Sequence, residues 1–183
     1  MLEFDKLDHA LAHFGIDVAG RDALDVGAST GGFTDVLLQR GALRVHAVDV
    51  GYGQLHPRLR GDPRVVVHER VNARALSPAM LGERCGAAVA DLSFISLKLV
   101  LPALASVLEP PAWCAVLVKP QFEAGRPEVG KGGVVRDPAV HERVVEEVCG
   151  ALRGLGFAVL GSAQSPLLGP AGNREFLVAG RLV

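Results

Sequence analysis

An α/β fold, built on a mostly parallel seven-stranded sheet with an antiparallel last strand, is predicted by three features of the chain. Hydrophobic residues make up 49% of the sequence and aromatic residues only 5%, so the core is aliphatic, as strands buried on both faces prefer. Short apolar runs alternate with segments of helical periodicity. Near the end, a glycine and proline turn returns the last run tightly against its predecessor, which makes it antiparallel. The 183 residues suit one domain over positions 1–183. A chain of that size buries about 70% of the surface exposed when unfolded.

Each element has a local reason. Phe4 to Phe14 places Leu7, Ala10, Leu11 and Phe14 at helical spacing, a helix ahead of the first strand, and Lys6 in its first turn reads on composition as a solvated charge. Ala23-Leu24-Asp25-Val26 is the first strand. It turns through Gly27-Ala28-Ser29-Thr30-Gly31-Gly32-Phe33 into a helix from Thr34 to Arg40 that Gly41 ends. Val45 to Val48 forms the second strand and delivers Asp49, while Val65 to Val67 forms the third. Ala87 to Ala90 is the fourth, ending at Asp91, and Trp113 to Val118 is the fifth, ending at Lys119. Asp137-Pro138 opens a helix to about Leu152, with Val140, Val144, Val145 and Val148 inward and Gly154 beyond its end. Phe157 to Leu160 is the sixth strand. The turn Gly169-Pro170-Ala171-Gly172 leads into the seventh, Asn173 to Ala179.

A strand that feeds a glycine turn and then a helix aims backbone N–H groups and a positive helix end at the occupant of the turn. Gly27, Gly31 and Gly32 depart from the dinucleotide spacing, and the Gly-Lys-Ser/Thr of a phosphate loop is missing. Asp25, just before the turn, would repel a pyrophosphate and attract a ligand carrying an ammonium and a sulfonium. Asp49 stands about 20 residues on, where doubly wound folds place the acid that accepts the ribose hydroxyls. Together they point to S-adenosylmethionine, held by Asp25, Gly27, Ser29, Thr30, Gly31, Gly32, Phe33 and Asp49. Asn72, in the loop after the third strand, is placed to touch its adenine ring.

Asp91 ends a buried strand at the crevice where open α/β sheets bind ligands, and it either serves the site or caps the helix that begins near Ser96. Pro120 holds Lys119 extended, so its side chain leaves the fifth strand at the same edge. The antiparallel return brings Glu175 there too. Methyl transfer to a hydroxyl needs a base and an aligned nucleophile. Lysine can be that base once its neutral form is accessible, with the carboxylates positioning the amine. Residues 124–136, rich in glycine, proline and balanced charge, read as a mobile loop closing over substrate.

The remaining composition narrows the class. Cys85, Cys114 and Cys149 are odd in number and widely spaced, against a disulfide framework or zinc set, and no metal is expected; His9 and His13 are a weak chelating pair. No apolar run reaches the length of a membrane span, and Met1 to Phe14 is unlike a signal peptide, so a soluble, cytoplasmic protein is expected. With a net charge of −1 the chain is not a general nucleic-acid coat. Arg58, Arg60, Arg64, Arg70 and Arg74, against Asp62 and Glu69, form either a phosphate-binding patch or an ordinary solvated loop.

Five motifs carry a resemblance: Asp25 to Asp35, Asp91-Leu92-Ser93-Phe94-Ile95-Ser96, Lys119-Pro120-Gln121-Phe122-Glu123, Gly130-Lys131-Gly132-Gly133-Val134 and Gly172-Asn173-Arg174-Glu175-Phe176. In this order they resemble the haemolysin-A-like (TlyA) branch of the FtsJ-like ribosomal RNA 2′-O-methyltransferases, over nearly the whole chain. The resemblance implies a Rossmann-like S-adenosylmethionine-dependent methyltransferase fold and a Lys-Asp-Lys-Glu tetrad. Lys119 is then its central lysine, flanked by Asp91 and Glu175, and Lys6 its first. It also implies ribose methylation of cytidine, with ribosomal RNA or ribosomal subunits as partner and neither membrane nor DNA. Relatives usually carry an N-terminal RNA-binding domain that this chain is expected to lack, so it is either a truncated form or docks on RNA by another route, with Arg58 to Arg74 as the candidate. A methyltransferase of small-molecule hydroxyls and a non-catalytic, haemolysin-like membrane-active or binding protein are the alternatives.

Overall fold

The computed structural model describes residues 2–183. In chain order the elements are α1 (Leu2–Phe14), β1 (Asp22–Val26), α2 (Gly32–Gln39), β2 (Arg44–Val48), α3 (Pro57–Arg60), β3 (Val65–His68) and α4 (Pro78–Leu81). They continue with β4 (Cys85–Ala90), α5 (Leu97–Ser106), β5 (Leu108–Val118), α6 (Pro120–Glu123), α7 (Pro138–Gly154), β6 (Phe157–Gln164) and β7 (Phe176–Leu182). The seven strands form one sheet in the order β3-β2-β1-β4-β5-β7-β6. The first five are mutually parallel, and β7 runs antiparallel to both β5 and β6.

Side-chain alternation along the strands divides the core into two layers. Leu24 and Val26 of β1 face α5 and α7, which contribute Leu97, Val100, Leu101 and Leu104, then Val140, Val144, Val148 and Leu152. Ala23 faces α1 and α2, which contribute Leu7, Ala10 and Leu11, then Val36 and Leu37. At about 25 cal/mol per Å² of apolar surface, each fully buried leucine contributes about 1.5–3 kcal/mol. The layers therefore fix the strand ends on which the site stands. All three cysteines are buried and free.

Several boundaries differ from the sequence expectation. The last two strands lie further along the chain: β6 runs on to Gln164 and β7 begins at Phe176, leaving Asn173 to Glu175 ahead of it. Gly154 lies inside α7, and the stop comes at Gly156, whose φ of 94° suits glycine just past a helix end. Pro120 does hold Lys119 extended, at φ −110° and ψ 102°, but its preset φ also opens the four-residue α6. Residues 124–136 are more tied down than a mobile loop implies. Arg143 holds Glu128 through two bonds of 2.5 and 2.7 Å. The Asn173 side chain accepts from Val135 N and donates to Gly133 O, both at 2.9 Å.

Candidate active site

The strand order reverses between β1 and β4, so the loops leaving their carboxyl ends diverge and open a crevice. A cavity of about 430 Å³ lies there, with Gly27, Ser29, Asp49, Asn72, Asp91 and Phe94 in its wall. Gly27 has a φ of 83°, and a Cβ there would lie 2.0 Å from the Asp91 carbonyl oxygen, so only glycine lets the two loops pass so closely. Backbone amides orient the Asp49 carboxylate. Ser29 N donates to Oδ2 at 2.8 Å and Gly51 N to Oδ1 at 2.7 Å, and each oxygen keeps a further lone pair for a ligand hydroxyl. The side-chain oxygen of Asn72 accepts from Arg74 N at 3.0 Å, which sets that residue against the wall.

Other residues expected around the cofactor stand elsewhere. Asp25 is fully buried and outside the cavity wall, because alternation along β1 turns it to the α2 face. Its Oδ2 accepts from the Thr34 hydroxyl at 2.7 Å, its Oδ1 has no partner among the described residues, and burial pushes its carboxyl up to about 7. Thr30, Gly31 and Gly32 line a separate groove with Phe4, Asp35 and Arg58. The Phe33 side chain is packed in the core. Of the eight residues predicted on the turn and after β2, Gly27, Ser29 and Asp49 face the crevice directly.

At the crevice rim the charged residues form two pairs. Lys119 Nζ lies 2.6 Å from Asp91 Oδ1 as an ion pair, and its hydrogen bond goes to the Ser93 hydroxyl at 3.1 Å. Lys6, expected on composition to be solvated, is 5% exposed and donates at 2.6 Å to Glu175 Oε2, itself 1% exposed. Register explains the placement: Phe176 of β7 pairs with Val118 of β5, so Glu175 and Lys119 leave neighbouring strands at one edge. Glu175 takes Lys6 as its ion-pair partner, which corrects the picture of one amine held between Asp91 and Glu175. Asp91 is not the cap of α5 either. Ser96 is, its side chain accepting from Lys98 N at 3.2 Å.

Three further residues belong to this region. Glu3 lies in the first turn of α1, where its side chain rests against bare Gly32. Burial and the Asp91 charge push its carboxyl up, while Lys119 and Lys6 pull it down. Phe94 stands on the cavity rim, 89% exposed, with a φ of 65° that is unusual for an aromatic residue. Glu123 of α6 reaches α5, accepting from Ser96 Oγ at 2.6 Å and Leu97 N at 2.8 Å. Phe94 and Glu123 left a trace in sequence, inside the motifs Asp91 to Ser96 and Lys119 to Glu123, and Glu3 left none.

The arginine stretch is less basic than its composition. Arg58 pairs with Asp35, Arg60 with Glu69 and Arg64 with Asp62. Arg70 instead lies 4.5 Å above the Tyr52 ring, and Arg74 follows Asn72 at the cavity wall.

This sheet order, with its reversed last strands and a crevice at the strand-order switch, is the Rossmann-like fold of S-adenosylmethionine-dependent methyltransferases. A solved S-adenosylmethionine-dependent methyltransferase from Mesorhizobium loti matches it with a TM-score of 0.70 at 16% identity, over 94% of this chain and 96% of that one. The chain belongs to the FtsJ-like methyltransferase family, whose profile matches residues 4–182. It is 56% identical over 173 residues to the 16S/23S rRNA (cytidine-2′-O)-methyltransferase TlyA of Mycobacterium tuberculosis, a match that covers 94% of this chain and 65% of that protein. A solved Lactococcus lactis structure that carries a hemolysin name is 47% identical with a TM-score of 0.95, over 99% of this chain and 87% of that one. The chain thus spans just under two thirds of the length of the curated M. tuberculosis relative.

Proposed function

We propose that the chain carries out S-adenosylmethionine-dependent 2′-O-methylation of ribose in RNA, with cytidine of ribosomal RNA as the substrate. The observation that carries this reading is the Lys119–Asp91 pair, 2.6 Å apart, in which the amine meets Asp91 and Ser93 of the cavity wall. The residues suit the cofactor: Asp49 offers two amide-oriented oxygens for ribose hydroxyls, Val71 and Asn72 of the cavity wall would meet the adenine, and Gly27 leaves room beside Asp91. When bound, the cofactor supplies a methyl group on a sulfonium.

Lys119, in its neutral form, would take the 2′-hydroxyl proton as that oxygen bonds to the methyl carbon the cofactor would supply, with the S–CH3 bond breaking and S-adenosylhomocysteine leaving. Asp91 faces the resulting ammonium and Ser93 fixes the direction of the amine. The Lys6–Glu175 pair neutralises the second buried carboxylate and anchors α1 beneath the site. Phe94, exposed beside these groups, offers a flat surface on which a splayed-out base can stack, the usual mode for single-stranded RNA. Arg70, over the Tyr52 ring, and Arg74, two residues beyond Asn72 of the cavity wall, suit the RNA phosphates.

Transfer of labelled methyl to ribosomal subunits and to naked ribosomal RNA, followed by mapping of the modified nucleotide, tests the proposal. A 2′-O-methylated cytidine is expected. Label on a base, or none on RNA while small-molecule hydroxyls are methylated, would overturn it.

A further inference from the structure

We infer that Glu123 is a positioning residue for methyl transfer, clamping the loop that carries Asp91 and Phe94 to the loop that carries Lys119. The inference rests on the roles proposed above for those three residues. The loops leave adjacent parallel strands, with Ala90 paired to Val116, but beyond the strand ends the ladder no longer joins them. Asp91 N instead turns to Val26 O of β1, at 3.0 Å.

What joins the loops is side-chain contact. Lys119 meets Asp91 and Ser93, and the Phe94 and Phe122 rings lie 5.0 Å apart at 55°. Each of these contacts is made by a group that must change partners or stay open to substrate during a turnover. Glu123 is different. Its two oxygens take Ser96 Oγ and Leu97 N, filling the hydrogen-bond need of the first turn of α5 from another element. That helix is fixed in the core by Leu97, Val100, Leu101 and Leu104, so the carboxylate, at the end of α6 and four residues beyond Lys119, ties that turn to a rigid anchor. The same anchor ends the loop in which Phe94 is held at positive φ, a conformation that persists only where the surroundings sustain it. Lys98 and Glu147 also act electrostatically on the carboxylate, with opposite signs.

Glu123→Ala and Glu123→Gln separate positioning from stability. The glutamine retains an acceptor for Leu97 N and gains a donor towards Ser96 Oγ. For the alanine variant, faster amide exchange confined to residues 92–97 and 119–123 is expected, with the sheet unchanged and the cofactor Kd within a few-fold. Its kcat should fall on the order of tenfold to a hundredfold, the scale on which reacting groups lose alignment, while the glutamine variant keeps most of the wild-type rate. Wild-type exchange at residues 92–97 in the alanine variant would overturn the inference. So would exchange raised throughout the sheet with both variants equally impaired. A wild-type protein that transfers no methyl to RNA would refute the proposed reaction, and the exchange pattern would still decide the clamp.

Discussion

Removing the Lys6 amine should expose how strongly α1 is bound to the site. Lys6→Ala leaves the Glu175 carboxylate buried without its cation, and Glu175 Oε1 already has no hydrogen-bond partner among the described residues. The side chains are 7% and 0% exposed, so water cannot replace the lost contact without opening the fold. Breaking one side of a buried pair costs about 3–5 kcal/mol. For a chain of this size each kcal/mol lowers Tm by about 2–4 °C, which gives a loss of about 6–20 °C in a thermal melt. Charge is the cause only if removing both charges restores stability. Lys6→Met/Glu175→Met, two straight apolar side chains of similar volume, should recover more than half the lost Tm. A Lys6→Ala shift below about 2 °C, or a double variant no better than the single, would refute the reasoning.

Three other outcomes follow from the same geometry. Asp49→Ala removes a carboxylate whose oxygens are aimed by Ser29 N and Gly51 N, so calorimetry should show cofactor binding weakened by at least about tenfold, one charge-assisted hydrogen bond; an unchanged Kd would move the ribose contact elsewhere. The Asp25 carboxyl is raised from 3.8 to about 7 by burial, so its contribution to stability is full below the unfolded value and is lost as pH rises through 7. Asp25→Asn should therefore gain in Tm over wild type between about pH 5 and pH 8, and a difference independent of pH would count against a buried proton. Arg70→Ala and Arg74→Ala should each weaken RNA binding and flatten its salt dependence by about 0.7 in the log–log slope for a single strand, whereas unchanged slopes would place the phosphates elsewhere.

How far the chain could be read in advance depended on whether a feature was local. Asp91 and Lys119 each stand where an apolar run stops, and a parallel sheet puts such stops at one edge. Glu175 joined them through its antiparallel return, although β7 starts one residue later than it does. Asp25 also stands near a strand end, but alternation turned its carboxylate away from the crevice, a distinction of one residue that a five-residue strand gives little pattern to decide. The Lys6 partner lies 169 residues away, and only resemblance brought Lys6 into the site. Glu3 lay in no motif, and Glu123, although it closes the motif Lys119 to Glu123, gave no sign of its partners in α5, because each acts across elements that meet only in the folded chain. The loop 124–136 looked mobile from its glycines, yet the residues that hold it, Arg143 and Asn173, lie outside it.

The central claim is that the amine of Lys119 accepts the proton of a ribose hydroxyl, and single-turnover methyl transfer to RNA by Lys119→Ala measures it most directly. Expected is a loss of transfer to the level of the uncatalysed reaction, with cofactor and RNA affinities within a few-fold of wild type. Transfer to the same 2′-oxygen at an undiminished rate would contradict it.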